Sequence, residues 1–261
     1  MPTASVNGTE LNYRIDGRHG APTLFFSNSL GTNLGMWDEQ VRMLAGTFRI
    51  IRYDSRGHGL SDAPEGDYTM EVLARDALGL MDYLEVDKTF YCGLSMGGMI
   101  GQWLGANVPE RIGKLVLSNT SSYMEPKDLW DQRIAAALSA SGMDGLVDAV
   151  TERWFTRGFI ERQPDEVDRI RQMILTTPAR GYAGCCAAIR DMDQRDILAG
   201  ITVPTMVIVG DQDPATPPDH GEFIASSIPG ARLWNIENAA HLSNVEQSAS
   251  YMDALSSFFE I

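Results

Sequence analysis

The sequence predicts an α/β fold: a mostly parallel central sheet flanked by helices, interrupted by an all-helical insertion. Three features of the chain point to it. Short β-branched and aromatic runs alternate with longer stretches of helical period over the first third, and again near the end. Between these parts, from about Ser121 to Asp196, strand-like runs vanish. A length of 261 residues suits one large α/β domain carrying such an insertion, with enough core to need no disulfide or metal.

Taken in order, Glu10–Ile15 and Thr23–Ser27 read as strands, the second almost wholly apolar and so internal to the sheet. Phe48–Tyr53 reads as the next strand and Met70–Leu84 as an amphipathic helix. A strand at Thr89–Leu94, a helix from Met96 to about Asn107 and a strand at Lys114–Asn119 follow. Such alternation implies parallel pairing with helices on both faces. Four helical segments are expected in the insertion, near 126–141, 143–156, 164–176 and 179–192. Pro126 and Pro164 sit where a first helical turn tolerates proline, and Pro178 separates the last two segments. Pro204–Gly210 and Arg232–Ile236 then read as strands and Val245–Phe259 as a closing helix. The expected division is a core of residues 1–120 and 197–261, with the helical insertion at 121–196.

Composition narrows the function. Hydrophobic residues make up 44% and charged residues 21%, the balance of a soluble globular protein. The 21 Lys and Arg against 35 Asp and Glu leave a formal charge of -14, which repels phosphate backbones and anionic lipid. Nucleic-acid and membrane partners are therefore not expected. Cys92, Cys185 and Cys186 are odd in number and lack CxxC spacing, which argues against a disulfide framework and a zinc site. Residues Met1–Gly8 show neither a basic nor an apolar targeting stretch, and no apolar run approaches the ~18 residues of a membrane helix. The expected location is cytoplasmic. Roughly half of the basic residues fall in 121–200. They either solubilise exposed helix faces or turn inward to bind an anion.

The strongest local signal is Gly93-Leu94-Ser95-Met96-Gly97-Gly98, between an apolar strand and a helix. G-x-S-x-G is a weak pattern alone and becomes informative in that setting. A serine on a tight strand-to-helix turn has its hydroxyl pushed into open space, and the N–H after it lies at a helix N-terminus that favours negative charge. Ser95 is therefore the candidate nucleophile.

A serine needs a base, and the chain has four histidines. His19 lies in a Gly-flanked loop, His58 in a turn after a strand, where a structural role is expected, and His220 opens a helix and is expected to be solvated. His241 follows Asn238-Ala239-Ala240, after the last strand, where α/β active sites lie; it is the candidate base. Asp211 and Asp213 follow the preceding strand, and Asp213, farther out beside Pro214, is the candidate to orient the imidazole. The order Ser95, Asp213, His241 is that of an α/β-hydrolase triad.

At this point the chain resembles an α/β-hydrolase over its whole length, with a helical cap between the sixth and seventh core strands. Three segments narrow the resemblance: Ser27-Asn28-Ser29-Leu30-Gly31-Thr32, Tyr53-Asp54-Ser55-Arg56-Gly57-His58-Gly59-Leu60-Ser61, and Cys92 through Gly105. Together they resemble the 3-oxoadipate enol-lactonases, ring-opening enzymes of aromatic catabolism in the β-ketoadipate pathway. Many α/β-hydrolases carry His-Gly where this chain has Asn28-Ser29, a departure that matches the lactonase pattern. The resemblance implies an oxyanion hole from the backbone N–H groups of Leu30 and Met96, with no cofactor and no metal.

It also implies a small lactone substrate with a free carboxylate, which so acidic a protein must hold with a local cation. Arg133, three residues after Trp130 on one helix face, is the candidate. Trp154 is a second candidate wall, although its spacing with Leu146 and Val150 also fits a core stripe. The triad does not separate a lactonase from a carboxylesterase, a carbon–carbon bond hydrolase or a perhydrolase, nor from a non-catalytic receptor on the same scaffold.

Overall fold

The computed structural model describes residues 2–261. Eight strands form one sheet: β1 (Thr3–Val6), β2 (Thr9–Gly17), β3 (Thr23–Ser27), β4 (Arg49–Tyr53), β5 (Thr89–Leu94), β6 (Ile112–Ser118), β7 (Thr205–Gly210) and β8 (Arg232–Ile236). Their spatial order is β1-β2-β4-β3-β5-β6-β7-β8. Strand β2 runs antiparallel to both its neighbours, and every pairing from β4 to β8 is parallel. The chain steps outward from β3 to β4 and then crosses back to β5, so the loops leaving β3 and β5 diverge from adjacent strands. A crevice at such a switch point is where α/β sheets bind ligands.

Helices α1 (Asp38–Leu44), α2 (Met70–Tyr83), α3 (Met96–Asn107), α9 (Pro218–Ser227), α10 (Ser243–Glu246) and α11 (Ser248–Phe259) accompany the sheet. Between β6 and β7 the chain forms helices, α4 (Lys127–Ala137), α5 (Val147–Trp154), α6 (Arg157–Arg162), α7 (Pro164–Thr176) and α8 (Ala179–Asp191), with one isolated antiparallel bridge between Tyr123 and Asp193. The core is dense in aromatics: Phe26 stacks on Trp37 with ring centroids 4.4 Å apart, and Phe25 stacks on Tyr91 at 5.8 Å. Among the described residues no helix is long and apolar enough to cross a membrane.

The structure corrects several expected elements. A strand at Thr3–Val6 precedes the first expected one, joined to it by a two-residue turn in which Asn7 and Gly8 have φ of 46° and 74°. Asn-Gly accepts positive φ at both positions, which suits the right-handed twist of a hairpin. The segment expected at 143–156 is a short 3-10 turn followed by α5, and the unforeseen α6 starts where Thr156 accepts the Phe159 N–H. The closing helix is broken at Gln247, whose φ of -126° and ψ of 54° separate α10 from α11.

Candidate active site

Ser95 occupies the turn from β5 to α3 with φ 57° and ψ -117°. A non-glycine residue there costs on the order of 1–3 kcal/mol, so the surroundings must hold it. Its N–H donates to the Ser118 carbonyl at 2.9 Å and its carbonyl accepts the Thr120 hydroxyl at 2.7 Å. The flanking glycines are required by contact. A Cβ on Gly97 would stand 2.2 Å from the Ser27 carbonyl oxygen, and one on Gly93 would stand 2.1 Å from the Gly97 oxygen. The helix N-terminus is thereby pressed against the end of β3.

That contact sets the loop after β3 against the start of α3. The Gly97 N–H donates to the Asn28 carbonyl at 3.0 Å, tying the loop after β3 to the first turn of α3. Among the described residues, the N–H groups of Leu30 and Met96 donate to nothing in the protein. Both residues are buried, and buried backbone donors left unpartnered are rare. The loop holding Leu30 is fixed from several sides. Asn28 donates to the Tyr53 carbonyl at 2.6 Å and accepts the Trp37 indole N–H at 3.0 Å, which gives the departure at this position a structural role. His58, fully buried, accepts the Gly31 N–H at its Nε2 at 2.8 Å. Burial pushes the His58 pKa down to about 4, keeping the ring neutral and able to accept.

The loops after β7 and β8 bring Asp213 and His241 together. His241 Nδ1 lies 2.9 Å from Asp213 Oδ2. That carboxylate also accepts the Ala215 and Thr216 N–H groups at 2.7 and 3.0 Å, the Thr216 hydroxyl at 2.8 Å and the Asn119 amide at 3.1 Å. Burial alone would raise the Asp213 carboxyl; the positive charge His241 can carry and these donors outweigh it and hold it below its usual value. Asp211 instead is exposed and accepts the Ala239 N–H. Ser95 Oγ makes no hydrogen bond with the described residues, including the imidazole. In unliganded sites that contact is often long and tightens on binding.

The insertion roofs this group. Trp154 stacks over His241 with ring centroids 6.3 Å apart, and a Cβ on Gly31 would meet the rings of Trp154 and Tyr182 at 3.5 and 3.3 Å. Trp154 is 6% exposed, so it belongs to the core stripe and to the site at once. Beside it lies a cavity of about 330 Å³ lined by Trp130, Arg133, Arg153, Trp154, Pro214 and His220, among others. Ser95 and His241 do not line it; Trp154 lines it and also stacks on His241.

Arg133 stands 5.1 Å over the Trp130 ring, and Arg153 donates to the Pro214 carbonyl at 2.9 Å. Among the described residues neither guanidinium has a carboxylate within salt-bridge distance. The one carboxylate in the cavity wall, Glu125, accepts the Tyr123 hydroxyl at 2.6 Å. Burial, and then repulsion from Arg133, lowers the Arg153 pKa. The cavity wall thus carries two guanidinium groups and one carboxylate, with no ion pair between them among the described residues.

Arg153 and Tyr182 carry no mark in the sequence, and His220 was weighed there only as a base. His220 is not solvated as expected: it is half-buried, with Nδ1 buried and without a partner among the described residues, because the first turn of α9 faces the insertion across this cavity.

The chain belongs to the α/β-hydrolase fold family, whose model matches residues 22–248. Within that family it is 38% identical to 3-oxoadipate enol-lactonase 2 of Acinetobacter baylyi, over 97% of this chain and 94% of the relative. The crystal structure of the enol-lactonase from Burkholderia xenovorans superposes with a TM-score of 0.97 at 44% identity, each chain covered completely. A hydrolase from Pseudomonas aeruginosa superposes with a TM-score of 0.96 at 45% identity, covering 100% of this chain and 98% of that one.

Proposed function

We propose that this chain is a hydrolase that opens 3-oxoadipate enol-lactone, with Ser95, His241 and Asp213 as its catalytic triad. Ser95 Oγ attacks the lactone carbonyl while His241 takes its proton and Asp213 holds the imidazole tautomer. The N–H groups of Leu30 and Met96 receive the oxyanion, each such donor being worth on the order of 10²–10³ in rate. Collapse breaks the ring C–O bond, and His241 returns the proton to the enol oxygen. That leaving group stays attached to the acyl chain, so reclosure competes until the enol becomes a ketone or water attacks the ester. Water, deprotonated by His241, then releases the second carboxylate and frees Ser95.

Residues 121–196 act as a cap over a core of 1–120 and 197–261, and Arg133 with Arg153 holds the carboxylate that the substrate already carries. Trp130 and Trp154 form the walls beside it. The observation that carries this reading of the substrate is the pair of guanidinium groups, without an ion pair among the described residues, in the cavity lined by Trp154, the ring that stacks on His241, in a chain of charge -14. The same acidity, with three buried free thiols, fits a cytoplasmic protein acting on a small anion rather than on nucleic acid or membrane. Arg133→Ala and Arg153→Ala are expected to raise KM for the anionic lactone on the order of 10-fold or more, leaving KM for a neutral aryl ester within about 2-fold. Equal losses on both substrates would refute a carboxylate-binding role.

A further inference from the structure

The imidazole of His241 is aimed by Asp213, but its backbone is held by other residues. The Ala240 carbonyl accepts the Asn119 amide at 3.2 Å, and the Leu242 N–H donates to the Trp154 carbonyl at 3.1 Å. The Ala240 N–H, immediately before the histidine, donates to Glu246 Oε2 at 2.8 Å. Glu246 is 7% exposed, and no Lys, Arg or His lies within salt-bridge distance of it among the described residues. A buried carboxylate with no counterion is costly unless donors surround it. Here the remaining donors come from the insertion: Oε1 accepts both the Thr156 N–H, at 3.1 Å, and the Thr156 hydroxyl.

One carboxylate thus bridges the peptide before His241 and the segment two residues beyond Trp154, the ring that stacks on His241. We propose that Glu246 is a positioning residue that fixes His241 relative to Ser95 and couples that placement to the insertion through Thr156. It touches no substrate and moves no proton; it acts through the Ala240 peptide. A neutral side chain could fill the same volume, but no apolar one could accept from both sides at once. The inference rests on the triad reading given above.

The test compares Glu246→Gln, Thr156→Val and Thr156→Ser on a neutral aryl ester and on the enol-lactone. Glu246→Gln keeps the volume but sets an amide NH₂ against an N–H donor. It is expected to lower kcat on the order of 10- to 100-fold on both substrates with KM within about 2-fold, as small misplacements of a catalytic group do. Thr156→Val, which leaves the Ala240 contact intact, is expected to lower kcat in the same sense, and Thr156→Ser to restore it. The double variant Glu246→Gln/Thr156→Val is expected to lose no more than Glu246→Gln alone, because both act on one path.

A fall in melting temperature with kcat unchanged would make Glu246 purely structural and overturn the proposal. Multiplying losses in the double variant would overturn the coupling. If Glu246→Gln does not fold, the Thr156 pair decides: kcat equal in Val and Ser variants rejects the coupling. Ser95→Ala run alongside separates the two claims. Turnover abolished by Ser95→Ala but untouched by Glu246→Gln refutes this inference alone; turnover surviving Ser95→Ala refutes the triad reading with it.

Discussion

Lowering the pH from 7 to 5 is expected to weaken this fold through His58. Its ring is fully buried and its pKa falls from 6.5 to about 4, burial being the main cause. The unfolded chain therefore binds a proton between those values that the folded chain refuses, so stability rises with pH across that window and falls as pH drops through it. At 1.36 kcal/mol per pKa unit, about 2 kcal/mol is lost between pH 7 and 5, and about 3 kcal/mol by pH 4. The loss has a local address, because His58 accepts the Gly31 N–H and so holds the loop that presents Leu30.

The comparison is with His58→Gln, which retains an acceptor but does not titrate. Urea unfolding followed by circular dichroism at pH 7, 6 and 5 gives the stability of each protein. The wild type is expected to lose about 2 kcal/mol more than the variant over that range. Asp54 and Asp76, whose pKa values burial raises, act with the opposite sign but are common to both proteins and cancel. A wild-type-minus-variant difference equal at pH 7 and 5 would refute a neutral, buried His58.

Three further outcomes are expected. Gly97→Ala places a methyl group 2.2 Å from the Ser27 carbonyl, so a fall in stability of several kcal/mol is expected in thermal or urea unfolding. Asp213→Asn sets an amide against donors from Ala215, Thr216 and Asn119, and kcat is expected to fall on the order of 10³–10⁴ while circular dichroism stays native. Cys92 and Cys186 are buried with thiols pushed up to about 12, and Cys185 is buried as well. A thiol-reactive disulfide reagent is expected to leave all three unlabelled in the native protein and to label them in guanidinium.

Much of the fold and of the candidate site was legible because their signals are local. Gly93 beside Ser95 is demanded by a contact four residues away, and strands such as Thr23–Ser27 and Thr89–Leu94 are largely apolar runs. The Asn7-Gly8 turn was also local, but four-residue β1 is too short to show a period. Thr156 carried a helix-start signal, hidden because it stands at the end of the segment expected at 143–156. The break at Gln247 has no such mark; Glu246 turns toward Ala240 and Thr156, a demand visible only once β8 and the insertion are adjacent.

The same holds for the cavity. Arg133 was readable because Trp130 lies one helical turn away. Arg153, Tyr182 and His220 reach the site from α5, α8 and α9, elements whose meeting no sequence spacing encodes. His58 shows the reverse case. Its expected structural role agrees with its burial, yet what it supports is the loop beside Ser95.

The most direct test is ring-opening of 3-oxoadipate enol-lactone by purified wild type and Ser95→Ala, with no cofactor added. Rapid wild-type turnover, reduced in the variant on the order of 10³-fold or more, is the expected result. A wild type that ignored the lactone while cleaving a neutral aryl ester through Ser95 would contradict the substrate and the anionic pocket. Lactone turnover that survived Ser95→Ala would contradict the nucleophile itself.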